Sequence, residues 1–548
     1  MSGVAAALWD LRDALAAHVL LSAAALGLGI VIALPLAVWA SRSARVARTA
    51  LGAASLIQTI PALALLALFF PLLLSLRAVF GQGLPTLGFL PALLALALYA
   101  VLPILRNAVT ARQTMDAGVL DAADAVGMTP AQKLRLVEAP LAAPFVMAGI
   151  RTAAVWTIGA ATLATTVGQA SLGDPIFAGL QTQNWALVLA GCIAAAGLAL
   201  AADGALALAE RGLAHRRPLL VWAGLGIVAA GLAWAALAGR APAQEAGRPV
   251  VTIGAKNFSE QYILARLIGL RLERAGYTVR YREGLGSAVI YGAVKSGAID
   301  VYVDYAGTLW ANEMKRTGTL PRAAMVAAIG AWSPRPEGGG VRMLGALGFE
   351  NAYAFAMNGA AARTKGIASL SDLARAAPGL TLGSDLEFLQ RPEWRSVKEA
   401  YGLDFGRTRN FAPSFMYDAL RGNEADVISA FSSDGRIAAD RLVVVSDPKG
   451  ALPSYDALLL VAPGRAQDAR FVAALKPLVG AISVETMRAA NYAVDRSDAA
   501  KRTPQAVARD LDRHLAVQNL ADGQNLADGQ NLADGQNLAE GQNLAEGQ

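Results

Sequence analysis

Cysteine is almost absent from this chain. The single Cys192 lies in an apolar run, so neither an intrachain disulfide nor a cysteine-based zinc site can form. Histidine is nearly as scarce: His18, His215 and His514 are far apart, and neither HExxH nor GxSxG occurs. Zinc-peptidase and Ser-His-Asp chemistry therefore lack sequence support. No GxxxxGK(S/T) loop is present, so the chain carries no phosphate cradle of that kind for ATP. Charge is thin as well. Only 16% of the 548 residues are charged and 55% are hydrophobic, which is too apolar for an ordinary soluble enzyme and long enough for more than one domain. A net charge of +6 would suit nucleic acid. Many arginines, however, sit in short loops beside apolar runs, where membrane topology accounts for them, and nucleic-acid binding is not expected.

What is abundant is apolar sequence, and it is concentrated in the first 240 residues. A helix needs about 20 apolar residues to cross the hydrocarbon core. Candidate spans are roughly 18–40, 51–76, 87–107, 144–168, 185–206 and 219–238. The first is too long and too rich in Gly and Ala to read as a cleaved signal. Basic residues mark alternate loops: RSARVAR (42–48), then Arg106, Arg112, Lys133 and Arg135, then ERGLAHRR (210–217). The loops around 77–86 and 169–184 carry few positive charges. Basic loops face the cytoplasm, so both termini are expected outside and the sixth span delivers the rest of the chain to the exterior. Residues 1–17 read as an amphipathic helix lying at the outer interface.

One cytoplasmic loop is distinctive. DAADAVGMTPAQKLRLVEAP (121–140) is polar and helix-forming between apolar spans. Alanine-rich sequence on either side of Gly127 favours two short helices with a sharp turn between them. Thr129-Pro130 reads as a cap followed by proline at the first helical position. The stretch resembles the EAA signature of bacterial ABC importer permeases, which runs EAA, three residues, Gly, nine residues, then I-x-L-P. Here Asp121-Ala122-Ala123 is followed by Gly127 and then by Val137-Glu138-Ala139-Pro140. Asp121 replaces the usual Glu, and Val137 and Ala139 are smaller than the family's Ile and Leu. The resemblance implies a helical hairpin, within 117–140, that docks into an ATP-binding subunit encoded elsewhere.

From about residue 250 the composition becomes that of a soluble α/β protein, after a short linker at 241–249. Strands are expected at Val250–Ala255, in YTVRYRE and in IDVYVDY, then at Val341–Leu347, Ala352–Met357, Leu380–Ser384, Asp426–Ala430, Leu442–Val445 and Ala457–Val461, with helices between several of them. About 265 residues suit two lobes around a ligand cleft. The chain is expected to cross to the second lobe near Tyr353–Asn358 and to return near Tyr455–Val461.

Aromatic residues beside short polar groups recur at these strand ends, in IGAKNFSEQYILA, IDVYVDYAGT, NAYAF, LEFLQRPEW, ISAFSSDGRI and LPSYDALLLV. Together and in this order they resemble the binding proteins of osmoprotectant importers, which carry glycine betaine, proline betaine, carnitine or choline. The resemblance covers nearly all of 250–514, and the permease half matches the same transporter family. It implies an all-α polytopic membrane domain of the ABC importer permease type (18–240), followed by a two-lobed α/β periplasmic-binding-protein domain. It also implies an aromatic cage of Tyr305, Tyr353, Phe431 and Tyr455, and a carboxylate clamp of Lys256, Thr308 and Arg391. Phe431 departs from the family's frequent A-Y-(S/T)-T-D segment; the ring is kept and a hydroxyl is lost. Gln261 and Trp310 are weaker candidates with packing the better explanation, and Asp434 is expected to hold its turn. The chemistry agrees independently. A quaternary ammonium has no N–H to donate, so it is held by ring faces, each contributing about 0.5–2 kcal/mol. A betaine's carboxylate wants cationic and hydroxyl donors.

The resemblance further implies a homodimer, two copies of the ATPase subunit, and ATP-Mg bound only to that partner, with no cofactor or metal in this chain. Ergothioneine, carnitine and choline stay open as alternative solutes. A different class, a membrane-tethered sensor without transport, would need a cytoplasmic signalling module. Residues 519–548 are five tandem hexapeptides, three NLADGQ and two NLAEGQ. One leucine per unit buries little, so a disordered tail is expected over 515–548.

Overall fold

The computed structural model describes residues 2–517 except 10, 82, 182–183, 239–247, 317, 319, 413–414 and 497. The expected linker falls almost wholly outside the described residues, as do the hexapeptides.

Six helices are long and apolar enough to cross a membrane: Arg12–Arg42, Ala62–Phe80, Phe89–Gln113, Pro130–Val167, Trp185–Ala214 and Pro218–Ala238. The third is the most enclosed and the sixth the least. Small residues set the packing of the first, third and fourth. A Cβ on Gly29 would lie 2.7 Å from the Ala100 Cβ, and one on Gly149 would lie 2.9 Å from the Pro103 carbonyl oxygen. Without side chains at these points the helices approach closely, and Ala33, Ala37, Ile104 and Ala153 complete that core. The second span departs from its expected bounds. Residues Ala44–Thr59 form one helix, and a new one starts at Ala62. Ile60 precedes Pro61 and is extended (φ −74°, ψ 125°), the conformation that a following proline favours.

The loop after the third span keeps the expected caps and turn, but only its first helix is short: the second starts at Pro130 and runs on into the fourth span. Asp116 caps helix Ala117–Ala125 by accepting from the Gly118 N–H. Gly127 takes φ +75°, where only glycine is unstrained. Thr129 and Gln132 form a capping box with Pro130 at the first helical position. Lys133 pairs with Asp124 at 2.6 Å and ties the short helix to the start of the fourth span. Asp121, Ala122, Gly127 and Pro140 are exposed and Ala123 is buried. Val126 and Leu136 also face outward.

The second half holds two five-stranded sheets. The first contains β1 (Val250–Lys256), β2 (Thr278–Leu285), β3 (Val301–Tyr305), β4 (Arg342–Glu350) and β10 (Asp456–Val461), ordered β2-β1-β3-β10-β4. The second contains β5 (Tyr353–Asn358), β6 (Thr381–Ser384), β7 (Arg407–Asn410), β8 (Val427–Phe431) and β9 (Leu442–Val445), ordered β7-β6-β8-β5-β9. Each sheet has three parallel strands, then two joined antiparallel. β10 and β5 occupy equivalent places, and the chain changes lobe just before each of them, at Asn351–Ala352 and at 446–455. β7 was not expected. Its sequence, RTRN, is exposed throughout and has no apolar alternation to betray an edge strand.

The first lobe rests on the membrane half. Phe70 and Leu87 join the apolar cluster of Ile290, Tyr291 and Val294. Arg77 donates to the Ser296 carbonyl at 3.2 Å. The last helix runs over 504–517, past the expected domain end, because Leu511 and Leu515 are buried in the lobe's core.

Candidate functional site

Carboxyl ends of parallel strands leave a crevice where ligands bind in open α/β sheets. Here that rule places the sequence-selected side chains. Lys256 ends β1, Tyr305 ends β3 and Phe431 ends β8, while Tyr353 opens β5 and Tyr455 immediately precedes β10. Thr308 sits in the turn of helix after β3, and Arg391 begins helix Pro392–Tyr401 in the second lobe. All seven line one cavity of about 140 Å³ between the lobes. Residues separated by up to 199 positions are thus brought to one place.

The rings form two groups. Tyr353 packs against Phe431 with centroids 5.0 Å apart, against Tyr455 edge-on at 5.6 Å, and against Phe388 at 4.6 Å. Tyr305 stands apart from these and packs on Phe258 at 6.0 Å. Burial drives the hydroxyls of Tyr305 and Tyr455 well above the ordinary tyrosine range, so both remain donors at neutral pH.

The cations are already paired. Lys256, 3% exposed, lies 2.5 Å from Asp304, which also accepts from the Tyr302 hydroxyl and the Tyr305 N–H. Arg391 lies 3.4 Å from Glu393 and donates to the Thr308 and Tyr455 hydroxyls, each at 3.3 Å. Its guanidinium carbon is 5.4 Å from the Tyr353 ring centre. Buried charges require such partners. The arrangement presents donors and ring faces side by side, which suits a zwitterion with an anionic and a methylated cationic end.

The other candidates behave as supports. Gln261 donates to the Tyr305 hydroxyl at 2.9 Å and to the Val303 carbonyl. Trp310 bonds to the Gly318 carbonyl and does not line the cavity. Asp434 holds the turn by pairing with Arg436 at 2.6 Å, and both reach the cavity edge. Sequence reasoning missed Phe258, Glu260, Asn351, Asn491 and Asp495, which also line the cavity. Glu260 lies inside the NFSEQ segment and was within reach of inspection. Asn491 is 231 residues farther on, and nothing local marks it.

Residues 249–512 match the family model described as the substrate binding domain of an ABC-type glycine betaine transport system. Residues 25–215 match the binding-protein-dependent transport system inner membrane component. The choline transport system permease protein OpuBB of Bacillus subtilis is 43% identical over 196 residues, which are 36% of this chain and 85% of that protein. The chain belongs to the betaine-type ABC importer family. Within it, a glycine-betaine-binding protein of Pseudomonas aeruginosa is 32% identical over 314 residues, covering 55% of this chain and 94% of that protein. Both halves appear together in the ergothioneine transport permease/ergothioneine binding protein EgtU of Helicobacter pylori, 29% identical over 84% of this chain and 82% of that protein. This member of the importer family is thus a multi-pass permease fused to its substrate-binding domain, and the family works with a small-molecule solute and an ATP-binding subunit.

Proposed function

We propose that this chain captures a betaine-type trimethylated zwitterion between its two lobes and passes it through its membrane spans. The observation that carries this reading is the convergence of Tyr305, Tyr353, Phe431, Tyr455, Lys256, Thr308 and Arg391 on one cavity. The rings take the methylated cation, and the Arg391–Thr308 side takes the carboxylate. Glycine betaine is the smallest solute of this kind. Carnitine, choline and ergothioneine, the last named in the Helicobacter relative, are the alternatives. Choline suits the cavity least, since it brings no carboxylate to the two cations.

Transport requires energy from outside this chain. Two ATPase subunits binding ATP-Mg would dock on the 117–140 hairpin, whose exposed Val126 and Leu136 supply apolar contacts. Two copies of this chain would form the translocation path. The charge bias of the loops supports an external binding domain, held near the entrance at high effective concentration. The deciding experiment is uptake of labelled betaines into transporter-deficient cells. Uptake should need both this chain and a co-expressed ATPase, and Tyr353→Ala should abolish it. Solute-dependent signalling without uptake would support a sensor instead.

A further inference from the structure

The fourth and fifth spans carry charge where it is costly. Arg151 is the only charged residue in the apolar stretch 144–168, and Asp203 is the only one in 185–206. Arg151 lies seven residues into its stretch, about 10 Å deep at the rise of an α-helix. Glu210 follows Asp203 by two helical turns, so both carboxylates share one face of helix Trp185–Ala214. Charged side chains within spans almost always face a bundle interior or a water-filled path.

The three side chains meet. Arg151 donates from Nε and Nη2 to the two Asp203 oxygens, each at 2.9 Å, and from Nη1 to Glu210 Oε2 at 2.5 Å. Among the described residues no other basic side chain pairs with either carboxylate, so the triad carries one surplus negative charge. The bidentate Arg151–Asp203 pair is neutral by itself and suffices to tie the two spans together. Glu210 is not needed for that. The side chains of Arg151, Asp203 and Glu210 stay 29%, 35% and 25% exposed. Hydrocarbon cannot solvate that exposed charge, and water in a path can. Three of the five guanidinium N–H groups are used, which leaves donors beside the surplus charge.

We infer that Arg151, Asp203 and Glu210 form an inner station for the zwitterionic solute on the translocation path. The surplus negative charge faces the methylated cation, and the remaining Arg151 N–H groups face the carboxylate. The inference rests on the import reading above and adds a second site, within the spans, to the cavity between the lobes. The outer cavity encloses its ligand, whereas the triad is open on one side and flanked by the exposed apolar side chains of Val155 and Leu200. A single open station holds a solute weakly enough to release it, as passage requires. On the topology that the basic loops favour, the triad lies in the cytoplasmic half and meets the solute after the cavity has released it.

The first test is accessibility. In a Cys192→Ala background, Val155→Cys and Leu200→Cys each place a thiol one turn from the triad, which stays intact. In membranes that contain the co-expressed ATPase, both thiols should react with a charged, membrane-impermeant methanethiosulfonate, and glycine betaine with ATP should slow the reaction. The second test separates transport from binding. Glu210→Gln keeps an acceptor for Arg151 and removes the surplus charge. It should lower uptake of labelled glycine betaine about tenfold, the scale of one contact with a charged group, while calorimetry on the full-length protein in detergent gives the parent's Kd. Glu210→Asp should restore part of the uptake. Thiols that resist the reagent from both sides of the membrane, beside a reactive Leu136→Cys control on the exposed coupling loop, would set this face against lipid or protein and overturn the inference. Parental uptake by Glu210→Gln would overturn it too. Either result leaves the importer reading standing, because uptake by the parent is measured alongside. If the parent takes up no betaine, that reading falls and the station with it. The labelling decides even if a Glu210 variant fails to fold.

Discussion

Arg391 and Thr308 are 83 residues apart and belong to different lobes, yet the Arg391 guanidinium donates to the Thr308 hydroxyl at 3.3 Å. The same guanidinium reaches the Tyr455 hydroxyl, at the point where the chain returns to the first lobe. One side chain therefore fastens the second lobe to the first at the cavity wall. Glu393 balances its charge, so the contact closes the cleft without burying an unpaired cation.

Removing that fastening should cost affinity. Hydrogen bonds to charged groups contribute about 1.5–3 kcal/mol, so Arg391→Ala is expected to weaken betaine binding by roughly ten- to a hundredfold. Arg391→Lys keeps the charge and loses the planar fork, so it should recover only part of the loss. Calorimetry on the full-length protein reads both. An alanine variant that binds like the parent would remove Arg391 from the clamp.

Phe431 packs against Tyr353 and carries no hydroxyl, so its contribution to the cage rests on the ring face. Phe431→Leu keeps apolar bulk and removes the quadrupole. It should weaken glycine betaine binding by about two- to thirtyfold, matching roughly 0.5–2 kcal/mol. Binding of tert-butylacetate, in which carbon replaces the quaternary nitrogen, should change much less. Equal losses for both ligands would point to packing alone.

Legibility in the sequence followed burial. β1, β3, β8 and β10 are apolar runs almost completely buried, and such runs announce themselves. β7 is exposed and polar, and the sheet creates it by supplying β6 as a partner. The seven candidates that line the cavity could be picked out because each sits at a strand end or loop inside a recognisable segment. Their partners could not. The Lys256–Asp304 pair joins β1 to β3, and the bond from Asn491 to Glu260 joins a late helix to an early one. Such contacts exist only after the lobes have folded. The break at Pro61 was written in the sequence, but the hydropathy of the second span masked it.

Gly127 tests the coupling loop. Its φ of +75° turns the chain between helix Ala117–Ala125 and the start of the fourth span, and nothing lies within 4 Å of where a Cβ would sit. Gly127→Val would therefore act through backbone strain alone, at a cost of about 1–2 kcal/mol for a left-handed residue. Uptake and co-purification of the ATPase should fall, while solute binding at the distant cavity should match the parent. Unimpaired uptake would argue that the hairpin's turn is not needed for docking.

Asp495 gives the cavity's supporting shell a pH dependence of predictable sign. Burial raises its carboxyl from the ordinary 3.8 to about 6, with Arg436 opposing, Asp434 adding, and Ser259 and Lys501 opposing. Ser259 Oγ donates to it at 2.5 Å. Because the folded value lies above the unfolded one, the folded protein holds this proton after the unfolded chain has released it. The stabilisation is complete below the unfolded value and is lost as pH rises through about 6. A shift of this size is worth on the order of 3 kcal/mol. Asp495→Asn mimics the protonated form and does not titrate. The parent's Tm should therefore fall relative to the variant's between about pH 4 and about pH 7, by several degrees. Scanning fluorimetry of both proteins across that range reads the difference, which isolates Asp495 from Glu260 and other titrating groups common to both. A constant gap would mean that Asp495 is ionised throughout and held by Arg436 and Lys501.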